Sequence, residues 1–335
     1  MYSTPFHTKP ISHLTFLVTG GGGFIGSNLV EYLLQHGAGT VRVLDNFSTG
    51  FRQNLEPFAA NPALEIMEGD ICDLATCLAA CEGVDIVLHQ AALGSVPRSI
   101  HNPALSNEVN VNGFVNMLTA AKEQEVQRVV YASSSSVYGD SLALPKVEEQ
   151  VGKPLTPYAV AKRANEMYAD VFAKTYRMEI VGLRYFNIFG NRQSPEGAYA
   201  GVIPLFMEAL LSGQPPRING DGLQTRDFTY IENCVQANIK AAFIENPAAL
   251  NQVYNIATGV QTTLLEVYRT LEKAAGLELE PVFKPVRIGD TKDSLADISK
   301  ARQLLGYQPQ VSLQEGLQRA FAWFKKQKQI VEQAH

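Results

Sequence analysis

The chain has 335 residues, of which 46% are hydrophobic and 18% charged, so it can bury a large hydrophobic core. It is also long for a protein with a single compact core. We therefore expect a globular protein of two closely packed lobes. The net charge of −5, without any long basic run, argues against nucleic acid or an anionic membrane surface as the partner. Residues 1–12 lack the apolar core of a signal peptide, and no apolar run approaches the roughly 18 residues of a membrane span, so we expect a cytosolic protein.

Short apolar runs alternate with helix-length stretches through the first part of the chain. This alternation is typical of βαβ units, in which a parallel sheet is covered by helices on both faces. The sequence therefore predicts an α/β fold with a Rossmann-like, doubly wound parallel sheet. The strand-like runs are LTFLVTG, VRVLDN, VDIVLHQAA, VVYASSS and IVGLRYFN.

The regular alternation weakens after Asn187, where the chain becomes rich in Gly, Pro and Asn. This change predicts a boundary near Phe186. The first lobe would comprise residues 1–186, together with segments that return to it from about residues 229–260. Residues 187–335 would form a smaller α+β lobe that covers the mouth of the first.

The four cysteines, Cys72, Cys77, Cys81 and Cys234, include no CxxC pair, and the first three lie in a stretch that is mostly helical in pattern. We interpret them as small buried or half-buried thiols. No metal site is predicted.

A glycine-rich turn joins the first strand to the first helix. Glycines at positions 20, 23 and 26 allow a tight turn, close approach of a pyrophosphate to backbone N–H groups, and close packing of the helix on the strand. The helix N-terminus would then face the anion with its positive dipole end. A plain turn is the alternative for a GxxGxxG pattern on its own. The predicted phosphate contacts are Gly20, Gly23, Phe24, Ile25 and Gly26.

An acidic residue, Asp45, ends the second strand 19 residues beyond Gly26. This spacing matches an acidic residue that hydrogen-bonds the adenosine ribose of a dinucleotide. Because a carboxylate there repels a 2′-phosphate, the sequence predicts NAD rather than NADP as the cofactor. The alternative is an aspartate that merely forms the turn after a strand.

A tyrosine and a lysine four residues apart, Tyr158 and Lys162, would share one face of a helix. A nearby cation favours the phenolate, so Lys162 is expected to lower the pKa of Tyr158 toward that of a general base. A run of four serines, residues 133–136, ends the apolar strand VVYASSS, where hydroxyls would face the ligand crevice of the sheet. Taken singly, these residues also fit a solvated helix face and a polar strand end.

The glycine turn, the serine run and the YxxxK pair, in this order, resemble the extended short-chain dehydrogenase/reductases over nearly the whole chain. The resemblance implies that Tyr158 is the acid/base, that Lys162 holds the nicotinamide ribose and tunes the tyrosine, and that Ser134 steers the reacting hydroxyl. The first lobe would thus be the NAD-binding lobe. Further cofactor contacts implied by the resemblance are Asn46, Asp70, Ile71, Gln90, Ala91, Ala92, Asn110 and Tyr185, besides Tyr158 and Lys162.

Within that superfamily the finer resemblance is to UDP-hexose 4-epimerases, through the segments HQAALGSVPRS, VNVNG, LRYFNIFG, NGDG, TRDF and RIGD. It implies that the second lobe binds a UDP-sugar and that the protein is a homodimer through helices around residues 104–122 and 158–175. For Arg226 and Arg287, salt bridges at the surface or between the lobes remain the alternative. The implied substrate contacts are Gly94, Ser95, Ser134, Ser135, Ser136, Tyr158, Asn187, Ala200, Val202, Asn219, Arg226, Arg287, Asp290 and Ser294.

The activity expected from this resemblance is NAD-dependent inversion of the C4 hydroxyl through a 4-keto sugar, with Tyr158 moving the hydroxyl proton. Related 4,6-dehydratases carry an Asp-Glu pair where this chain has Ser135 and Ser136, which disfavours dehydration. Two alternatives stay open: a UDP-glucuronate 4-epimerase or decarboxylase, and a non-enzymatic NAD-sensing interaction protein.

The preferred sugar is predicted from Ser294, in the segment DTKDSLADIS. In similar 4-epimerases a bulky tyrosine at this place lies beside the hexose C2 substituent and restricts the enzyme to plain hexoses. A serine leaves room for an N-acetyl group. We therefore expect UDP-N-acetylglucosamine and UDP-N-acetylgalactosamine to be the preferred substrates.

Overall fold

The structure, a computed structural model, describes residues 1–195, 201–285 and 292–334. Thirteen strands are found in these ranges. In chain order they are β1 (Thr15–Thr19), β2 (Thr40–Asp45), β3 (Leu64–Glu68), β4 (Ile86–His89), β5 (Arg128–Ser134), β6 (Glu179–Tyr185), β7 (Ile188–Phe189), β8 (Arg217–Asn219), β9 (Thr225–Arg226), β10 (Thr229–Tyr230), β11 (Val253–Ile256), β12 (Thr262–Thr263) and β13 (Val282–Lys284).

The same ranges contain ten α-helices. They are α1 (Phe24–Gln35), α2 (Leu74–Cys81), α3 (Val96–His101), α4 (Pro103–Asn107), α5 (Gly113–Glu123), α6 (Pro157–Tyr176), α7 (Val202–Leu211), α8 (Ile231–Ala242), α9 (Leu264–Ala275) and α10 (Leu313–Ala334). The helix expected around residues 104–122 is two helices, α4 and α5, joined by a wider π turn over Glu108–Asn112. None of the helices in the described ranges combines the length and apolar character that crossing a bilayer requires.

Seven strands form one parallel sheet in the order β11-β6-β5-β4-β1-β2-β3. The predicted Rossmann-like doubly wound fold is confirmed. The central strand β4 is buried along its whole length, as expected where helices cover both faces of a parallel sheet.

Alternate residues of β1 show how one strand serves two cores. Phe16 and Val18 pack into the core on the side of α1 and α8, whereas Leu17 packs into the core on the side of α2 and α5. Successive side chains of a strand point to opposite faces, so this apolar strand fills both sides. Burial on both faces holds the carboxyl ends of the strands at one edge.

The chain leaves the main sheet after β6 and later comes back to it. Residues 229–260, assigned to the first lobe in the sequence analysis, contain α8 and β11, and β11 pairs in parallel with β6. The remaining strands form three two-stranded sheets: β7 with β10, β8 with β13, and β9 with β12. Two of the predicted substrate residues, Asn219 on β8 and Arg226 on β9, lie on these small sheets.

Candidate active site

The glycine turn after β1 lies tightly against neighbouring backbone. Gly20 has φ +67°, and a Cβ atom there would lie 2.8 Å from the backbone N of Ala91. A Cβ atom on Gly26 would lie 2.1 Å from the carbonyl oxygen of Gly20. Since no side chain fits at either position, the glycines are required by the turn itself and leave bare backbone facing the sheet edge.

The first turn of α1 follows directly from this loop. The helix is capped by the backbone of Gly23, with no side-chain hydrogen bond to the first N–H groups and no acidic residue in the first turn. Phe24 and Ile25 begin the helix and pack half-buried against the core. Uncapped N–H groups at a helix N-terminus are suited to hold a phosphate.

A groove at the carboxyl ends of β1, β2 and β4, here called the cofactor groove, brings together half of the predicted cofactor residues. Its lining also includes Leu44, Thr49 and Gly69, which the sequence analysis missed because they contribute shape rather than a charge or a motif. The complete lining is Gly20, Gly23, Leu44, Asp45, Asn46, Thr49, Gly69, Ile71, Gln90, Ala91 and Ala92.

The acidic rim of the groove is held by short hydrogen bonds. The Asp45 carboxylate accepts from the backbone N of Gly22 and of Phe47, each at 2.8 Å. The Asp70 carboxylate accepts from Nδ2 of Asn46 at 2.8 Å. Burial raises the pKa of Asp70, but the hydrogen bonds from Cys72 and Asn46 outweigh burial, so the pKa lies below its usual value. A tight glycine loop, a free helix N-terminus and a carboxylate at the rim together fit a dinucleotide whose ribose hydroxyls are unphosphorylated.

The loop after β4 is fixed from two sides. The Tyr185 hydroxyl donates to Oε1 of Gln90 at 3.0 Å, and Nε2 of Gln90 donates to Oδ1 of Asn238 on α8 at 3.0 Å. Behind the loop, the buried Asn110 accepts from the backbone N of Leu93 at 2.8 Å and donates to its carbonyl at 3.1 Å. Asn110 lies in the π turn between α4 and α5, so that irregular turn aims the amide at the loop.

The serine, tyrosine and lysine predicted to act together lie together. The Ser134 hydroxyl, at the end of β5, lies beside the phenol of the half-buried Tyr158 near the start of α6. Lys162 lies one turn further on α6, with Nζ 5.8 Å from the ring centroid of Tyr158. The lysine is 2% exposed, and its ammonium donates to the carbonyl of Ala132 at 2.8 Å.

The electrostatics of this trio differ from the expectation in one respect. Burial raises the pKa of Tyr158 to about 12, opposed by the neighbouring Ser134 hydroxyl. The expected lowering by Lys162 is not met, because its ammonium is turned to the Ala132 carbonyl rather than to the phenol oxygen. Burial also lowers the pKa of Lys162 to about 8, opposed by the carboxylate of Glu166.

The rest of the serine run offers hydroxyls beside this trio. Ser134 Oγ accepts from the backbone N of Ser136 at 3.1 Å, while Ser136 Oγ is buried without a hydrogen-bond partner among the described residues. Ser135 is half-buried next to it. An unpaired buried hydroxyl is costly unless a ligand or water satisfies it, which marks this strand end as a contact surface.

The loop between β4 and α3 borders the same edge. Gly94 is exposed, with open space where a Cβ atom would lie. Ser95 has φ +102°, an unfavourable backbone for a serine, and its Oγ caps α3 by accepting from the backbone N of Arg98 at 3.3 Å. Strain of this kind persists only where surrounding structure enforces it.

A second, larger cavity of about 1030 Å³ lies among the small sheets and α7, and we call it the second-lobe cavity. It gathers the predicted substrate residues Asn187, Val202, Asn219 and Arg226. Two cations that the sequence analysis missed also line it, Arg217 on β8 and Lys284 on β13. The other lining residues are Leu205, Glu208, Ala209, Ser212, Gln214, Pro215, Pro216, Gln224, Phe228, Leu264 and Val282.

Strand β9 organises the wall of this cavity. Nη1 of Arg226 donates to the carbonyls of Thr225 and Lys292, at 2.7 and 3.2 Å. The Thr225 hydroxyl donates to Oδ1 of Asp293 at 2.7 Å, and so the half-buried Ser294 lies in a segment held beside β9.

Asp227, which follows β9, is a buried carboxylate that the sequence analysis missed. It accepts from the backbone N of Thr258, Gly259 and Ala296, and its carbonyl accepts from Nδ2 of Asn187 at 3.0 Å. Burial raises the pKa of Asp227, opposed by these hydrogen bonds. One side chain thereby ties the loop after β11 to the segment that carries Ser294.

Three predicted substrate residues, Ala200, Arg287 and Asp290, lie outside the described residues. Of the cysteines, Cys77, Cys81 and Cys234 are buried and Cys72 is half-buried, all as free thiols. Within residues 1–195, 201–285 and 292–334, no group of three or more His, Cys, Asp or Glu side chains is arranged to hold a metal ion.

Comparison with known proteins places these sites in a family context. A family model described as "Epimerase: NAD dependent epimerase/dehydratase family" matches residues 16–257. The chain is 39% identical over 315 residues to a UDP-glucose 4-epimerase of Mycolicibacterium smegmatis, an alignment that covers 93% of this chain and 99% of the relative.

Solved structures show the same likeness. The crystal structure of UDP-glucose 4-epimerase from Thermotoga maritima with UDP-glucose has 36% identity and a TM-score of 0.88, covering 94% of this chain and 100% of that one. A UDP-N-acetylglucosamine 4-epimerase from Methanobrevibacter ruminantium, in complex with UDP-N-acetylmuramic acid, has 35% identity and a TM-score of 0.88, covering 94% of this chain and 98% of that one.

Proposed function

Because this chain belongs to the NAD dependent epimerase/dehydratase family, we propose that it inverts the C4 hydroxyl of a UDP-linked hexose, with UDP-N-acetylglucosamine and UDP-N-acetylgalactosamine preferred. The resemblance to UDP-hexose 4-epimerases and the NAD cofactor, both predicted from the sequence, are confirmed. The observation that carries the proposed activity is the placement of the Ser134 hydroxyl beside the phenol of Tyr158, with the buried Lys162 one turn away, at the edge where the cofactor groove opens.

The proton chemistry falls to Tyr158. Its phenol oxygen takes the proton of the C4 hydroxyl and later returns one, while Ser134 directs that hydroxyl toward it. When bound, NAD supplies the hydride acceptor and donor at C4 and a positive charge at its nicotinamide. A pKa of about 12 leaves little phenolate at neutral pH, so Tyr158 depends on cationic neighbours for its activation.

The second-lobe cavity holds the nucleotide part in this proposal. Arg226, Arg217 and Lys284 bring three cations to one cavity, and guanidinium groups pair well with phosphate oxygens. Asn187 and Asn219 add amide contacts, and Val202 adds apolar surface. Ala200, Arg287 and Asp290 remain predictions for the same task. Anchoring through the diphosphate leaves the hexose free to turn and present its other face.

Preference for N-acetylated sugars is supported by the small side chains of the residues predicted to contact the sugar. Ser294 is half-buried in the segment held beside β9, and a serine there leaves space for a C2 substituent. Gly94, Ser95 and Ser136 are equally small at the edge of the first lobe. Together they fit a polar pocket with room for an acetamido group.

Ser294→Tyr tests this substrate assignment. Bulk added to a fitted pocket excludes the larger ligand, so turnover of UDP-N-acetylglucosamine and UDP-N-acetylgalactosamine should be abolished while UDP-glucose and UDP-galactose are spared. The exposed Ser299 provides the control, since Ser299→Tyr adds the same bulk at the surface. Parent-rate turnover of UDP-N-acetylglucosamine by Ser294→Tyr would remove Ser294 from the sugar.

Assay of the parent with UDP-glucuronate separates the proposal from its main alternative. Exclusive use of the acid, or release of CO₂, would reject C4 epimerisation of a neutral hexose. Absence of epimerisation with every UDP-sugar would favour a non-enzymatic NAD-binding protein.

The proposed homodimer is supported by apolar side chains that α6 leaves exposed. Val160, Met167 and Val171 are 55%, 61% and 54% exposed on this helix, and Ile100 on α3 is 60% exposed. A second copy packed on α6 would cover these side chains. We expect a dimer by analytical ultracentrifugation and a shift toward monomer in Val171→Lys. A monomeric parent at micromolar concentration would reject the dimer.

A further inference from the structure

A buried carboxylate, Glu166, lies one turn beyond Lys162 on α6 and takes no part in the chemistry proposed above. Its Oε1 accepts from the Ser133 hydroxyl at 2.7 Å and from Nε of Arg184 at 2.8 Å. Its Oε2 accepts from Nη2 of Arg184 at 2.9 Å and from Nη1 of Arg163 at 2.8 Å. Glu166 is 6% exposed and Arg184 is 1% exposed, so the two side chains form a buried, bidentate ion pair.

Two partners of Glu166 lie on strands that end in predicted site residues. Ser133 directly precedes Ser134 on β5, and Arg184 directly precedes Tyr185 on β6. Glu166 itself follows Lys162 by one helical turn and Tyr158 by two. The carboxylate therefore joins the helix and the two strand ends whose relative placement sets the geometry of the site.

Arg184 carries the same network toward the second lobe. Its Nη1 donates to the Tyr138 hydroxyl at 3.0 Å, and that hydroxyl donates to Oδ1 of Asn255 at 2.6 Å. Nδ2 of Asn255 donates to the carbonyl of Asp297 at 3.0 Å. Asp297 lies three residues after Ser294, so one buried chain of hydrogen bonds runs from α6 to the segment beside the proposed sugar site.

Burial of an ion pair is poorly explained by stability alone. Desolvation cancels much of the attraction, and an apolar pair of similar volume often stabilises a fold as well. A paired carboxylate does provide what apolar contacts lack, namely a fixed direction and a negative charge at a set distance from its neighbours.

We propose that Glu166 is a positioning residue, which fixes α6 against β5 and β6 and keeps the ammonium of Lys162 charged beside the bound cofactor. This inference rests on the proposed function for its effect on turnover, but its effect on cofactor binding concerns Lys162 alone.

The electrostatic surroundings of Lys162 fit this role. On α6, Lys162 is faced by Glu166 and by the ring of Tyr158. On β4 it is faced by His89. Burial and the charge of Lys162 lower the pKa of His89 to about 3, so His89 stays neutral. Burial lowers the pKa of Lys162 to about 8, and Glu166 opposes that lowering. Arg184 and Arg163 bind Glu166 and hold its own pKa below the usual value, although burial raises it.

The sign of the expected pH effect follows from these charges. The ammonium of Lys162 is present below its pKa and is lost as the pH rises through it. Removing the charge of Glu166 lowers the pKa of Lys162 further, so functions that need the ammonium are lost at a lower pH than in the parent.

Glu166→Gln is the variant that tests the inference, because the amide keeps the size of the side chain. NAD retention, measured by equilibrium binding across pH 6–9, should fall off at a pH roughly one unit lower than in the parent. Turnover of the UDP-sugar should fall about tenfold in kcat with little change in KM. The matched control is Asp170→Asn, one turn further on α6, whose exposed ion pair with Lys174 should be dispensable.

A second variant keeps the test decisive if the buried Arg184 destabilises Glu166→Gln. Glu166→Gln combined with Arg184→Met removes both charges of the pair and should show a smaller shift of the pH profile of NAD retention in the same direction, because loss of the Arg184 cation by itself favours the Lys162 ammonium. A folded variant of either kind with the parent profile would overturn the inference. A parent that binds NAD but turns over no UDP-sugar would instead reject the proposed function, and the NAD-binding profile would still decide the role of Glu166.

Discussion

Charged side chains are buried and hydrogen-bonded at the carboxyl edge of the main sheet, whereas in the second-lobe cavity some of them are exposed. At the sheet edge, Lys162 and Glu166 are 2% and 6% exposed, and each is held by hydrogen bonds to neighbouring elements. In the second-lobe cavity of about 1030 Å³, Arg217 and Lys284 are exposed. One region fixes its groups before any ligand arrives, and the other presents charges to a ligand that has yet to enter.

This difference matches two tasks that the proposed reaction separates. Proton and hydride transfer require reacting atoms at set distances, and small displacements are costly. Binding a flexible diphosphate requires charge and access more than exact geometry. Substitutions at the sheet edge should therefore change kcat, and those in the second-lobe cavity should change KM.

The largest effect is expected from Tyr158→Phe. It removes the phenol oxygen that moves the proton while keeping the ring, so kcat should fall by a factor on the order of 10² to 10⁴ with folding and NAD binding intact. Steady-state kinetics and bound NAD are the measurements. Tyr168→Phe, at an exposed position on α6, is the control, and near-normal turnover in Tyr158→Phe would remove Tyr158 from its role.

Lys162→Ala should come next, with losses in both cofactor retention and rate. A hydrogen bond from a charged group contributes about 1.5–3 kcal/mol, which corresponds to roughly 10- to 100-fold weaker NAD retention. Fluorescence titration with NADH and single-turnover rates measure the two effects. If neither changes, the spacing of Tyr158 and Lys162 is accidental.

Arg226→Ala tests the second-lobe cavity. Loss of a guanidinium that pairs with the diphosphate should raise KM for the UDP-sugar about tenfold or more with kcat nearly unchanged. The control is Arg269→Ala, at a surface ion pair on α9. A fall in kcat at constant KM would contradict the division of tasks between the two regions.

The smallest effect is expected from Asp45→Asn. The amide keeps the size of the side chain and can accept only one of the two hydrogen bonds, from Gly22 or from Phe47, because its Nδ2 is a donor. It no longer repels a 2′-phosphate, a repulsion of about 1 kcal/mol at 4 Å in a water-filled groove. Preference for NAD over NADP should therefore fall about fivefold, as measured by competitive binding. An unchanged preference would place cofactor discrimination elsewhere in the groove.

The sheet and the cofactor groove were predictable from the sequence because their signals are local. Glycines at 20, 23 and 26 and an acidic residue after the second strand form a pattern with a direct physical cause. The apolar strands are continuous enough to identify as buried. The other residues around the groove, such as Gln90 and Ala91, came from the resemblance to extended short-chain dehydrogenase/reductases.

Much of the second lobe and the charge network of α6 gave no such signal. Arg217 and Lys284 lie on strands of three residues, too short for a period to appear. Glu166 resembles any glutamate on the solvent face of a helix, and only packing against β5 and β6 reveals that it is buried. The expected lowering of the Tyr158 pKa failed because spacing along a helix does not say where a lysine ammonium points.

The return of the chain to the main sheet at β11 constrains how this protein can be divided or recombined. The backbone N–H groups of Gly182 and Phe186 donate to the carbonyls of Gln252 and Ile256. The edge of β6 is therefore completed by residues that follow the first part of the second lobe in the chain. A fragment that stops at Phe186 would expose that edge as a template for aggregation. Exchanging the second lobe between relatives therefore requires at least two junctions, with β11 and α8 retained from the same parent as β6.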